Sequence, residues 1–247
     1  MKRIVIIGAT SSIATHCARL WVQDAAIDLT LVGRDASRLE RVAADLRARS
    51  PQSSIRAVEA RFFDPAAIAD TVADITRMGA VDIALIAHGS LPDQAECQRD
   101  LQACHEALGV NAISPVLFAE AFAGKMAEAN HGTLALIGSV AGDRGRRSNY
   151  VYGAAKGLVT RYAQGLQHRL AITPVKVVLV KPGPTATPMT ANLGDKAPKL
   201  APVETVARQI VDGIAKGQSV IYTPAKWRLI MQVVRHLPAF VFNRMDV

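Results

Sequence analysis

The sequence predicts an α/β fold, a single doubly wound parallel sheet of about seven strands with helices on both faces. Three observations carry this. Short apolar runs alternate with helix-length amphipathic stretches along the whole chain. The apolar runs are continuous rather than alternating, as expected for strands buried on both sides. No repeat, low-complexity tract or linker divides the 247 residues, so one domain over 1–247 with a sizeable core fits the length.

The expected strands are Arg3–Ile7, Asp28–Val32, Ser54–Glu59, Asp82–Ala87, Thr133–Ile137, Val175–Val180 and Ser219–Tyr222. Between them the 3.6-residue pattern predicts helices over Ser12–Gln23, Ala36–Arg49, Pro65–Met78, Arg99–Ala129, Tyr150–Leu170 and Val203–Lys216. Gly89–Gln98 and Pro182–Pro202 read as irregular. The second is long enough for a lid over a site, assigned to 183–202. Residues 225–247 form a basic amphipathic tail.

Composition narrows the function. Half the residues are hydrophobic, which excludes global disorder. The net charge of +8 points to an acidic partner: a phosphorylated ligand, an anionic membrane surface or nucleic acid. Nucleic acid is disfavoured, because there is no long basic run and only 5% of residues are aromatic. Cys17, Cys97 and Cys104 are odd in number and lack Cys-x-x-Cys spacing, so a disulfide framework or zinc site is not expected, and reduced cytoplasm is the natural compartment. The histidines show no metal-ligand spacing either, and no metal is expected. The run Ile4–Ile7 stops at Gly8, too short for a signal sequence, and no stretch approaches ~18 uninterrupted apolar residues.

The chemistry concentrates at Tyr152-Gly153-Ala154-Ala155-Lys156, with Ser139 thirteen residues upstream. Four-residue spacing on a helix puts the phenol and the ammonium one turn apart on one face. An ammonium there is expected to lower the phenol pKa from about 10, and a phenol so tuned can pass a proton to or from an alcohol near neutral pH.

The first strand runs into Gly8-Ala9-Thr10-Ser11-Ser12-Ile13-Ala14, and a helix follows. Backbone amides and a helix N-terminus then face an anion, as a pyrophosphate requires, though a plain turn with Ser11 or Ser12 capping the helix fits the same residues. Ser12 and Ala14 stand where two further glycines are usual. At the tip of the second strand, where an acidic residue would hold a ribose 2′-hydroxyl, Gly33 is followed by Arg34. A guanidinium suits a 2′-phosphate, so NADP(H) is favoured over NAD(H). Asp64 either accepts from the adenine amino group or N-caps the helix at Pro65, and it can do both.

Together these residues resemble the short-chain dehydrogenase/reductase family over essentially the whole chain. Its motifs appear in order and at its spacing: the turn at Gly8, Asp64, Ala87-His88-Gly89, Asn111, Ser139, Tyr152, Lys156 and Pro182-Gly183-Pro184-Thr185-Ala186-Thr187. The resemblance implies a Rossmann-like domain and an oxidoreductase interconverting a ketone and a secondary alcohol. It implies catalysis by Asn111, Ser139, Tyr152 and Lys156, with Tyr152 as acid/base, Ser139 positioning the carbonyl, Lys156 on the nicotinamide ribose and Asn111 holding a relay water. It implies a cofactor held by Gly8, Thr10, Ser11, Ser12, Ile13, Arg34, Asp64, Ala87, His88, Gly89, Tyr152, Lys156, Pro182, Gly183, Thr185 and Thr187. A homodimer or homotetramer through the long helices is the family's habit. Two departures matter: Ala87 replaces an asparagine that stabilises the central strand, so local rewiring is expected, and the Gly8 turn lacks two of the family's glycines, so a looser pyrophosphate contact is expected. His88 replaces a small residue near the nicotinamide, within reach of substrate.

Two features bear on substrate. Arg144, Arg146 and Arg147 lie between Ser139 and Tyr152, where three guanidiniums at the pocket rim suit a phosphate. In the tail, Trp227, Ile230, Met231, Val234 and Leu237 recur at helical spacing among basic residues, which fits either a membrane interface or packing on protein. The 142–153 stretch and this tail are also similar to a branch of the family that reduces a polyprenyl-phosphate-linked keto-sugar. That gives two expected substrate classes, a lipid-linked carbonyl at the inner face of the membrane or a small soluble carbonyl. A nucleotide-binding sensor or scaffold without turnover is the third reading.

Overall fold

The computed structural model describes residues 1–191 and 199–245. The middle of the expected lid, 192–198, and the last two residues of the tail lie outside the described residues.

Seven strands form one sheet: β1 (Lys2–Ile7), β2 (Ile27–Gly33), β3 (Ser54–Glu59), β4 (Ile83–Ile86), β5 (Thr133–Ile137), β6 (Lys176–Pro182) and β7 (Val220–Thr223). Their order is β3-β2-β1-β4-β5-β6-β7. Every pairing is parallel, as βαβ crossovers require. The chain winds outward from β1 to β3, then returns to lay β4 against the other side of β1. The carboxyl ends of β1 and β4 therefore flank the topological switch point, where such sheets open a crevice.

Helices cover both faces. One apolar cluster joins Ile4, Ile6, Leu29 and Leu31 to α1 (Ser12–Asp24), α2 (Ala36–Arg49) and α8 (Val203–Ala215). The other joins Val5, Ile7, Ile86 and Leu136 to α3 (Pro65–Arg77), α6 (Ser114–Ala129) and α7 (Tyr150–Arg169). Alternate residues of β1 thus enter opposite clusters, the reason its sequence is apolar without a break. Edge strand β3 departs from that pattern, burying only Ile55.

Two expectations need correction. The stretch Gly89–Gln98 contains a short helix, α4 (Gln94–Arg99), nucleated where the Asp93 carboxylate accepts from Glu96 N at 2.8 Å. The long helix expected over Arg99–Ala129 starts only at Leu101 as α5 (Leu101–Leu108), because Asp100 caps it by accepting from Gln102 N. It then passes through one π-helical turn, Gly109–Ile113, into α6. This run, Leu101–Ala129, is long and apolar enough to cross a membrane by length and composition. Phe118, Phe122 and Met126 bury it against the sheet instead.

Candidate active site

Gly8 closes β1 with φ +81°, in the left-handed region that favours glycine. A Cβ there would fall 2.6 Å from the His88 backbone N, so glycine also lets the ends of β1 and β4 close on one another. The turn is tied down by Gly8 N and Ala9 N, which both donate to Val32 O. Ser11 occupies the N-cap of α1 but makes no side-chain cap bond. Ser12 and Ile13 thus open a helix whose first amides have no intrahelical acceptor, at its positive end. That is the donor set an anion needs.

The adenosine side holds a surprise. The Asp64 carboxylate accepts from Ala66 N at 3.0 Å and Ala67 N at 3.4 Å, so it caps α3. Beside the end of β2, Ala60 N donates to Gly33 O at 2.9 Å, and Arg61 follows Ala60 in the chain. Arg34 and Arg61 both line a groove of ≈ 1280 Å³ along the β3 edge, with the Arg34 guanidinium 6.0 Å from the Phe63 ring centroid. The sequence reading missed Arg61. Its signal was the distance of Asp64 from the strand end: an Asp immediately before Pro is a helix N-cap first.

At the catalytic end, α7 starts at Tyr150 and places Tyr152 and Lys156 one turn apart. The Lys156 Nζ lies 5.8 Å from the Tyr152 ring centroid and donates to Ile137 O at 3.1 Å. Lys156 is only 3% exposed, and burial pulls its pKa down to about 8. Burial holds the Tyr152 phenol above its ordinary value, and the nearby Ser139 hydroxyl offsets only part of that. The expected lowering by lysine is therefore not what this structure shows. The reason is physical: burial disfavours both the phenolate and the ammonium that would stabilise it.

Ser139 ends β5 and begins a 3-10 turn, Val140–Asp143, its Oγ accepting from Ala141 N. That turn is bolted to the sheet. Asp143 forms a buried ion pair with Lys181 of β6 and accepts from the Tyr222 hydroxyl of β7 at 2.8 Å. Burial and the Asp143 carboxylate push the Tyr222 phenol to about 12.

Asn111 lies in the π turn and is fully buried. Its Oδ1 accepts from Ser90 N at 2.9 Å, and its Nδ2 donates to Ala107 O at 3.0 Å. A Cβ on Gly89 would sit 2.9 Å from Asn111 Oδ1 and 3.4 Å from Lys156 Nζ, so the bare glycine brings those two polar groups together. His88 does not face a substrate space. Its ring packs edge-on against Phe62 and Phe118, and Nε2 lies 2.9 Å from Ser114 Oγ. Its Nδ1 is buried without a hydrogen-bond partner. Burial, with Lys156 and Arg34 nearby, lowers its pKa to about 3.

Beyond β6, Thr185 is buried and donates to Gly183 O at 2.9 Å. Thr187 N donates to the Thr190 hydroxyl. A methyl group on Gly183 would fall 2.0 Å from Trp227 Nε1, so the first helix of the tail sits on the Pro182–Gly183 segment.

Two of the three arginines expected at the pocket rim have another use. Arg144 Nη1 donates to Val234 O and Leu237 O, both at 2.6 Å, and its guanidinium lies 3.9 Å from the Phe242 ring centroid. Arg146 reaches Met231 Sδ. Both hold the tail, α9 (Lys226–His236) and α10 (Ala239–Phe242), against the segment that joins Ser139 to Tyr152. Arg147 is exposed.

Among the described residues no group of three or more His, Cys, Asp or Glu is placed to hold a metal ion. The site combines a phenol, a buried amine and a hydroxyl at one end with an uncapped helix N-terminus and two arginines at the other. That arrangement can move a proton beside a bound dinucleotide.

Known proteins resemble the chain along its whole length. An oxidoreductase of unassigned role from Streptomyces coelicolor is 32% identical over all of this chain and 96% of its own length. Another, from Mycobacterium tuberculosis, is 33% identical over 98% of this chain and 96% of its own. A solved short-chain dehydrogenase from Sphingobium yanoikuyae in complex with NADPH superposes with a TM-score of 0.83 at 23% identity, covering 100% of this chain and 97% of that one. The profile of the short chain dehydrogenase family matches residues 2–198, and the chain belongs to that family of oxidoreductases.

Proposed function

We propose that the protein is an NADP(H)-dependent reductase that interconverts a ketone and a secondary alcohol. The observation that carries this is the phenol of Tyr152 one helical turn from the buried amine of Lys156, whose Nζ lies 5.8 Å from the Tyr152 ring centroid. The residues fit the dinucleotide: the uncapped start of α1 for the pyrophosphate, and Arg34 with Arg61 for the adenosine end and its 2′-phosphate. When bound, the nicotinamide supplies or accepts the hydride. In this reading Ser139 orients the carbonyl oxygen and Tyr152 delivers the proton to it. Lys156, whose pKa of about 8 lies near working pH, returns a proton toward Tyr152. Asn111 holds a water that links Lys156 to bulk solvent, and the bare Gly89 leaves the Asn111 amide and the Lys156 amine close together. Much of the rate comes from holding the reactants in place, which the Asp143–Lys181 bolt beneath Ser139 serves.

Arg34 and Arg61 support a preference for NADP(H) over NAD(H), and the NADPH in the Sphingobium relative's complex agrees with it. For the substrate, a polyprenyl-phosphate-linked keto-sugar is supported by the tail seated beside the segment between Ser139 and Tyr152. A small soluble ketone is the second reading, favoured by the engagement of Arg144 and Arg146 with the tail rather than with a phosphate. Exposed Leu101, Ile113 and Leu158 on the α5–α7 side support assembly as a homodimer or homotetramer.

The test is NADPH oxidation against a panel of soluble and lipid-linked ketones, with Tyr152→Phe alongside. Turnover that vanishes in Tyr152→Phe while NADPH affinity holds supports the assignment. Nucleotide binding with no turnover on any ketone returns the protein to a sensor or scaffold role.

A further inference from the structure

We propose that the outer face of α9–α10 is a docking surface for an anionic lipid bilayer. The tail carries two apolar stripes, and only one of them has a partner. Trp227, Met231, Val234, Leu237 and Phe242 turn inward and meet the domain. Of the face read from sequence as interfacial, only Ile230 stays outside.

The second stripe is Lys226, Leu229, Ile230 and Val233, spaced i, i+3, i+4, i+7 on a second side of α9, roughly 120° around from the inward one. Leu229 is 75% exposed and Val233 63%. Past the turn at Pro238, Phe240 is 70% exposed, and Val241 and Met245 are also in solvent. Scattered exposed apolar residues need no explanation, but a row of them on one short segment marks a contact surface.

Charge selects the occupant. From Ser219 to Met245 there is no aspartate or glutamate, while Lys226, Arg228, Arg235 and Arg244 contribute four cations, all exposed. A two-fold contact with a second copy would set this cationic face against itself. An anionic lipid surface accepts both the stripe and the charge, with Phe240 and the aliphatic residues among the acyl chains and the basic heads at the phosphates.

The display is rigid. The Arg144 bonds to Val234 O and Leu237 O fix the direction of α9 relative to the Ser139–Tyr152 segment. A bilayer under the tail therefore lies beside the segment that leads to the proton-transfer residues. The inference stands on the surface alone and does not require a lipid-linked substrate.

Vesicle flotation of the full-length protein tests it, using phosphatidylcholine alone and phosphatidylcholine with about a third phosphatidylglycerol, at low and at about 0.3 M salt. One variant carries Leu229→Gln, Val233→Gln and Phe240→Gln. The other carries Lys226→Gln, Arg228→Gln and Arg244→Gln. All six positions are exposed, so circular dichroism and NADPH binding are expected to match wild type in both variants. Wild type is expected to float with the anionic vesicles at low salt and to release at high salt, and each variant to lose at least about tenfold in partitioning. Absence of wild-type flotation with anionic vesicles, or equal flotation of the variants, overturns the proposal. So does a smaller sedimenting species of the apolar variant in lipid-free buffer, which would show that the stripe joins copies of the chain. Vesicle binding without ketone reduction would leave this inference standing and remove only the enzymatic one.

Discussion

His88 Nε2 lies 2.9 Å from Ser114 Oγ, and this bond ties the end of β4 to the first residue of α6, directly after the π turn that holds Asn111. The bond lies one residue beyond Ala87, where the sequence predicts local rewiring. Phe62 and Phe118 both meet the ring edge-on and touch each other, their centroids 5.0 Å apart. We predict that Ser114→Ala costs about 1 kcal/mol in stability, the worth of one hydrogen bond. His88→Ala adds a cavity beside the Phe62–Phe118 pair and is expected to cost about 2–4 kcal/mol. Denaturant unfolding measures both. If turnover falls in Ser114→Ala while NADPH affinity holds, the bond also positions Asn111. Unchanged turnover in that variant confines it to stability.

The same histidine sets an acid limit. Its pKa is about 3 in the folded protein against about 6.5 unfolded. Between those values the unfolded chain binds a proton that the folded protein refuses, so stability is complete above about pH 6.5 and is lost as pH falls toward 3. His88→Gln removes that group. Over this window its stability is expected to fall less steeply than wild type, by up to about 1.4 kcal/mol per pH unit. Parallel acid-unfolding curves for the two proteins would show that His88 titrates normally in the fold.

Lys156 gives the opposite trade between stability and activity. Burial lowers its pKa to about 8, so from there to about 10.5 only the unfolded chain holds the proton and stability rises with pH. Below pH 8 the penalty for the buried ammonium is constant. Lys156→Met removes it and loses one bond to Ile137 O, and the melting temperature at pH 7 is expected to hold or rise. Turnover is expected to disappear. A variant both inactive and less stable at pH 7 would mean that the amine helps hold the fold.

Arg34 and Arg61 are expected to separate the two cofactors. Each charge-assisted contact to a 2′-phosphate is worth roughly 1.5–3 kcal/mol, so Arg34→Ala should weaken NADPH about tenfold or more and leave NADH nearly unchanged. Arg61→Ala should act in the same direction, because both guanidiniums line one groove. Asp64→Asn should change neither affinity, since that side chain is engaged with Ala66 N and Ala67 N. Equal losses for NADPH and NADH in the arginine variants would make them structural.

The sheet was legible because burial on both faces writes itself as unbroken apolar runs, and β1 is the clearest case. Gly8 was legible because a tight turn and a close neighbour both demand the absence of a side chain. Side-chain partners were not. The three arginines after Ser139 look alike in sequence, and only the path of the tail shows that Arg144 and Arg146 point to it. The tail itself carries apolar residues on two faces, and periodicity alone does not say which packs inward. Asp64 fitted an adenine contact and a helix cap alike, because the two roles share one residue type, and the backbone of α3 shows the cap.

Arg144 is expected to be the latch of the tail. Its guanidinium serves two carbonyls in the last turn of α9 and beyond it, while stacking on Phe242. Arg144→Ala deletes two charge-assisted hydrogen bonds and the ring contact, each of the bonds worth roughly 1.5–3 kcal/mol. The tail lies outside the two main apolar clusters, so the loss should appear as local opening rather than global unfolding. Hydrogen exchange at Val233–Phe242 should quicken by ten- to a hundredfold, with the amides of β1 and β4 unchanged. Arg144→Lys should restore little, because one ammonium does not reproduce the planar fork that meets two carbonyls and a ring at once. Protection of the tail that survives Arg144→Ala would show that Trp227 on Gly183 and Met231 in the core hold it without the guanidinium, and would free Arg144 for the substrate role read from its place in the sequence.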